Sequence, residues 1–90
     1  MKKYRRNIQI LDGELDNNVV MMHPYKGSYF GLNPVGKRIW QIIAEPKDLE
    51  EIIEKLVAEF DITHEQCISE VTQFLEKAHQ LDIIKVDEIG

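Results

Sequence analysis

The sequence predicts an α+β domain of winged-helix type, a three-stranded antiparallel sheet followed by three helices. Two features carry that prediction. The N-terminal third holds short runs of strand formers separated by Asp-Gly, Asn-Asn and proline-containing breaks, whereas from Pro34 onward apolar residues recur at helical spacing behind three N-cap residues, Asn33, Asp48 and Thr63. The junction is abrupt. In Gly27 to Ile43, GSYFGLNPVGKRIWQII, the strand formers Tyr29 and Phe30 give way to Asn33-Pro34, an N-cap with proline at the first helical position.

Ninety residues make one domain, 1–90. A chain of this size buries only about 60–65% of its unfolded surface, so its core is thin. Residues 1–6, with Lys2, Lys3, Arg5 and Arg6, read as a basic tail outside any element. Asn7 to Leu11 alternates apolar and polar residues as a strand with one buried face, and Asp12-Gly13 is expected to end it. Asp16-Asn17-Asn18 precedes a second strand, Val19 to Met22. His23-Pro24-Tyr25-Lys26-Gly27 is the next turn, and Ser28 to Leu32 the third strand.

The first helix runs from Pro34 to about Ala44, with Val35, Ile39, Ile42 and Ile43 on one side, and Pro46 closes it. Asp48 and Glu51 have capping-box spacing ahead of the apolar series Leu49, Ile52, Ile53, Leu56, Val57 and Phe60. Thr63 and Gln66 repeat the box before a third helix carrying Cys67, Val71, Phe74, Leu75, Ala78 and Leu81. Ile83, Ile84 and Val86 fall in a C-terminal tail, 83–90, read as extended and packed on the domain.

The composition narrows the function classes. A net charge of -5 has the wrong sign for a phosphate-backbone partner, and the third helix offers Glu65, Glu70 and Glu76 against Lys77 alone, a poor recognition helix. The lone Cys67 sits in a helical apolar pattern, as a small hydrophobe rather than a nucleophile. His23, His64 and His79 have no metal-pair spacing, and there is no phosphate loop or nucleophile elbow. No apolar run approaches a membrane span of roughly 18 residues. These observations predict a cytoplasmic, non-enzymatic binding module without cofactor or metal, and without nucleic-acid or membrane partners.

A sheet of three short strands leaves an edge of unpaired backbone groups on its third strand, which a helix or the chain's own terminus covers, or which takes up another strand. In the latter case an extended peptide hydrogen-bonds to Ser28, Tyr29, Phe30, Gly31 and Leu32, with the third helix as the far wall. On that helix Ile68, Thr72, Leu75 and His79 form a stripe beside Val71 and are the expected lining. Lys26 on the turn, with Lys37 and Arg38 on the first helix, is placed to meet acidic groups of such a peptide.

YFGLNPVGKRIWQII, LEEIIEKLVAEFDIT and EVTQFLEKAHQLDII resemble the PqqD-like family over roughly Ile8 to Val86, most specifically at Leu32, Asn33, Gly36, Ile39 and Trp40. The resemblance implies a RiPP recognition element, which binds the leader of a ribosomally made precursor peptide as an added strand between third strand and third helix. Among such domains the chain is most similar to the stand-alone leader-binding subunit of lasso-peptide clusters, which implies a cysteine-protease leader peptidase and an ATP-dependent cyclase as further partners. A PqqD-type chaperone serving a radical SAM enzyme is the alternative within the family. A winged-helix DNA-binding regulator is the alternative outside it. Asp82 departs from the family pattern, which ends the third helix with glycine.

Overall fold

The computed structural model describes residues 1–15, 18–27 and 29–88. In chain order the elements are β1 (Lys2–Arg6), β2 (Leu11–Leu15), β3 (Asn18–Met22), β4 (Tyr29–Leu32), α1 (Pro34–Ile42), α2 (Leu49–Glu59), α3 (His64–Gln80) and β5 (Ile84–Glu88). The α+β class and the strands-then-helices order are as expected. The strands, however, form two sheets: an antiparallel β2-β3-β4 meander and a separate antiparallel β1-β5 ribbon.

The ribbon corrects the reading of both tails. Residues 2–6 pair with residues 84–88 in the register Lys2↔Glu88 to Arg6↔Ile84. The basic cluster is used up there: Arg5 bonds Asp87 at 2.7 Å, Lys3 reaches Glu51 at 3.1 Å, and the Arg6 guanidinium lies 4.5 Å from the centre of the Trp40 ring while donating to the Trp40 carbonyl. Lys2 opposite Glu88 and Lys3 opposite Asp87 favour the pairing, Arg5 opposite Lys85 is relieved by its diagonal bond to Asp87, and tails that look solvated singly complete each other.

The first strand of the meander also lies further along than expected. Asn7 to Ile10 is a turn in which the Asn7 side chain accepts from Gln9 N and its carbonyl from Ile10 N. This asparagine-capped turn competes with strand pairing. Ile8 is consequently 93% exposed while Ile10 joins the core. Asp12-Gly13 does not break the strand but lies within β2, with Gly13 opposite Val20.

Local signals place the helices as expected. Asn33 caps α1 by accepting from Gly36 N, and Asp48 and Glu51 make the reciprocal capping box of α2. Thr63 accepts from Gln66 N at α3, without the return bond among the described residues. The core joins Met21 and Leu32 of the meander to Ile39, Trp40, Ile43, Ile52, Leu56, Val71, Leu75 and Ala78 of the helices and to Ile83 and Ile84.

Candidate functional site

Strand alternation divides β4 between two environments. Phe30 and Leu32 turn inward, Leu32 being buried, whereas Tyr29 is 72% exposed and Gly31 is open. β4 pairs with β3 from Met22↔Tyr29 to Val19↔Leu32. Beyond that ladder, Tyr29 to Leu32 make no backbone hydrogen bond among the described residues. β4 is thus the edge of the meander, and its outer backbone groups remain available.

Beside this edge lies a groove of about 380 Å³. Its floor is an aromatic pair, Phe30 and Phe74, with ring centres 5.6 Å apart. One wall is the start of α1, with Val35, Gly36 and Ile39, and the other is α3, with Glu70, Gln73 and Lys77. Gly36 is tightly packed here: a Cβ on it would lie 3.1 Å from the Phe74 ring and 3.2 Å from the capping Asn33 oxygen, so a side chain would have to push one of them aside by a few tenths of an ångström. Its bare backbone is where the Phe74 ring of α3 rests against the start of α1.

The expected helix lining lies elsewhere on α3. Thr72, Leu75 and His79 face the opposite side, towards Tyr4, Leu49 and Val86, around a separate hollow of about 230 Å³. Val71 and Leu75 are buried in the core, and Ile68, 37% exposed, does not line the groove. The β1-β5 ribbon occupies the flank that the sequence assigned to a ligand. Of the expected residues, Phe30, Gly31 and Leu32 are brought to the groove, with Tyr29 beside them through its backbone. Ser28, also expected there, lies outside the described residues. Glu70, Gln73, Phe74, Lys77 and the α1 residues went unrecognised. The signal that could have found them is the pairing of Gly36 with a bulky residue on α3, which fixes the side of α3 facing the sheet.

The turn that delivers β4 is pinned by a polar cluster. His23 is buried, its Nδ1 accepting from Tyr25 N and Lys26 N, both at 3.2 Å, and its Nε2 lying 3.0 Å from Asp82 Oδ2. With Nδ1 occupied as an acceptor, the hydrogen-bond pattern assigns the ring proton to Nε2, which donates to the carboxylate. Gly27 completes the turn at φ 65°. Asp82 itself stands at φ 59°, the left-handed conformation that ends α3, and also accepts from Lys85 Nζ at 2.6 Å, with Lys26 Nζ 3.9 Å away. The Lys85 bond first, then that of His23, pull the Asp82 carboxyl down to about 2. Lys26, expected to face a peptide, thus leans toward Asp82.

The described residues that line the groove include no histidine, cysteine, serine or threonine. The Cys67 thiol is buried behind it and its pKa is raised, chiefly by that burial and further by Glu70, which suits a packed thiol rather than a nucleophile. Among the described residues no group of three or more His, Cys, Asp or Glu could hold a metal, and no helix is long and apolar enough to cross a membrane.

The chain matches the model of the family described as Coenzyme PQQ synthesis protein D (PqqD) over residues 18–84. Comparison with curated proteins finds no match. Among solved structures, TbiB1 in complex with the TbiA(beta) leader peptide superposes with a TM-score of 0.78 at 28% identity, over 90% of this chain and 94% of that one. A lasso peptide synthetase B1 complexed with the leader peptide gives the same TM-score at 15% identity, over 91% and 96%, a likeness of fold.

Proposed function

Because this chain belongs to the PqqD family, we propose that it is a non-catalytic RiPP recognition element that holds the leader of a ribosomally made precursor peptide as a strand added to β4. The observation that carries the reading is the unpaired outer edge of Tyr29–Leu32 beside a groove floored by Phe30 and Phe74. Main-chain hydrogen bonds to β4 supply affinity, and one or two apolar anchors over the aromatic floor supply specificity. Similarity to TbiB1, whose structure is a complex with a leader peptide, supports the same ligand class. On this reading the captured leader passes to a cysteine-protease leader peptidase and a cyclase of lasso-peptide biosynthesis, the partners that the sequence resemblance implies. Membership of the PqqD family leaves a second reading, in which the recipient is a radical SAM enzyme, as the resemblance to a PqqD-type chaperone implies. Which of these genes adjoins this one decides between them. The basic segment that favoured a DNA-binding regulator is largely spent on Asp87, Glu51 and Trp40.

The test is a fluorescence-polarisation titration with the labelled leader of the adjoining precursor gene, at low and high salt, on wild type and on Phe30→Pro and Gly31→Pro. Successive strand residues point their N–H groups to opposite edges. One proline therefore strikes the β3 ladder and lowers the melting temperature, while the other leaves the fold and abolishes capture. Saturable binding that persists at high salt is expected, since strand addition releases few counterions. A folded proline pair that both bind at wild-type affinity would sink strand addition.

A further inference from the structure

The groove carries two charges that the fold leaves without partners. Glu70 Oε2 is fully enclosed yet has no hydrogen-bond partner. Lys77, on the same wall, makes no side-chain hydrogen bond or ion pair among the described residues. The contrast with the surroundings is sharp: Arg38 pairs with Glu59, Lys85 with Asp82 and Lys3 with Glu51. An enclosed carboxylate oxygen without a donor costs the folded state its lost hydration, and native structures seldom leave one unexplained.

The two charges stand at opposite ends of the groove. The β3–β4 turn meets the end of α3, where Lys26 Nζ approaches Asp82, and further along Phe30 meets Phe74 while Gly36 at the start of α1 also touches Phe74. β4 and α3 therefore run antiparallel, with Lys77 toward the Tyr29 end and Glu70 toward the Leu32 end. Seven residues of helix separate them by roughly 10 Å, and an extended chain covers that distance in about three residues.

Resting on the strand-addition reading, we infer that the groove selects a dipolar peptide segment. A lysine or arginine of the ligand pairs with the Glu70 carboxylate once that side chain turns the enclosed oxygen into the groove, and an aspartate or glutamate two or four positions away on the same strand face meets Lys77. The charges then do what apolar anchors cannot: they fix the register and direction of the added strand. A peptide slipped by one residue turns its charges to the wrong face, and a reversed one sets like against like. For a strand antiparallel to β4, the cation precedes the carboxylate.

The experiment screens a positional-scanning library of N-acetylated ten-residue peptides against wild type, Glu70→Gln and Lys77→Met. Wild type is expected to prefer a basic residue at one position and an acidic residue two or four positions later, each by about tenfold. Glu70→Gln loses the basic preference and keeps the acidic one, and Lys77→Met does the reverse, so the preference each variant keeps certifies its own fold. Selection of apolar residues without charge, or charge preferences that survive both substitutions, overturns the dipolar assignment alone. Binding without any sequence preference likewise overturns only the dipolar assignment, whereas failure of every peptide to bind overturns the strand-addition reading beneath it.

Discussion

The two flanks of α3 face two different sheets, and those sheets present different strands to it. On the Thr72, Leu75 and His79 side stands the ribbon, where β1 pairs with β5 along its length and its other edge is tied at Tyr4 by two backbone bonds to Lys47. On the Glu70, Gln73 and Lys77 side stands β4, paired on one edge only. Both flanks have hollows with apolar walls, so apolarity does not distinguish them. Whether the neighbouring backbone is already hydrogen-bonded does. An unpaired strand edge beside a helix is the feature that strand addition needs, whereas Tyr4 at the other hollow is already paired on both sides, with Val86 and with Lys47.

Adjacent residues on α3 offer the largest test of this difference. Phe74→Ala removes the groove floor and is expected to weaken peptide capture by about tenfold or more while costing about 2 kcal/mol of stability, since the ring is only half-buried. Leu75→Ala, at a buried core position, is expected to cost about 3 kcal/mol and to leave the affinity of the folded domain within about twofold. Thermal melts and titrations well below the transition read the two quantities separately. Equal weakening of capture by both variants would erase the distinction between the flanks.

The same contrast explains how much was legible in the sequence. The helices and their caps were, because Asn33, Asp48 and Thr63 act on neighbours three residues on. The β4 edge was legible too, because Tyr29, Phe30 and Gly31 stand between a turn and a helix start. The ribbon was not, because its two halves are about eighty residues apart and neither holds a hydrophobic run. Still, Ile84-Lys85-Val86-Asp87 alternates with period two and its acidic end, Asp87 and Glu88, lies opposite Lys3 and Lys2, a pattern readable once both ends are considered together. Missing the ribbon left two flanks of α3 open to choose from, and helical periodicity alone cannot say which faces a sheet. The end of the first strand failed for a local reason: Asn7 uses its side chain to build a turn where alternation predicted a strand.

A smaller effect sharpens the account of the groove flank. Its edge strand is delivered by a turn whose only buried polar side chain is His23, so stability there depends on hydrogen bonds rather than on area. His23→Ala is expected to cost about 2 kcal/mol, as it orphans two backbone donors and the tie to Asp82. His23→Asn, whose side-chain oxygen can take the place of Nδ1, is expected to recover about half of that by keeping the turn but not the tie. Chemical denaturation of the three proteins measures it. No recovery by asparagine would mean that the Asp82 bond, not the turn, holds the strand in place.

The smallest effect concerns Asp82, where the family pattern's glycine would meet the backbone requirement more simply. Glycine adopts φ near 59° without strain, but it offers no carboxylate to His23 and Lys85. Because the folded carboxyl is held at about 2, below the usual 3.8, its ionisation stabilises the fold fully above about pH 4, and that contribution is lost as the pH falls toward 2. Asparagine tolerates the left-handed conformation and keeps an acceptor oxygen, so Asp82→Asn removes the charge alone. The melting temperature of wild type is expected to fall more steeply than that of Asp82→Asn between pH 4 and pH 2, with Asp82→Gly sharing the shallower slope. Equal slopes would move the acid sensitivity to Glu59, depressed by its bond from Arg38, and Asp48, depressed by the backbone of Glu51. If instead the slopes differ while Asp82→Gly is the more stable variant at neutral pH, the left-handed backbone outweighs the side-chain ties, and aspartate serves mainly to anchor the β3–β4 turn to the end of α3.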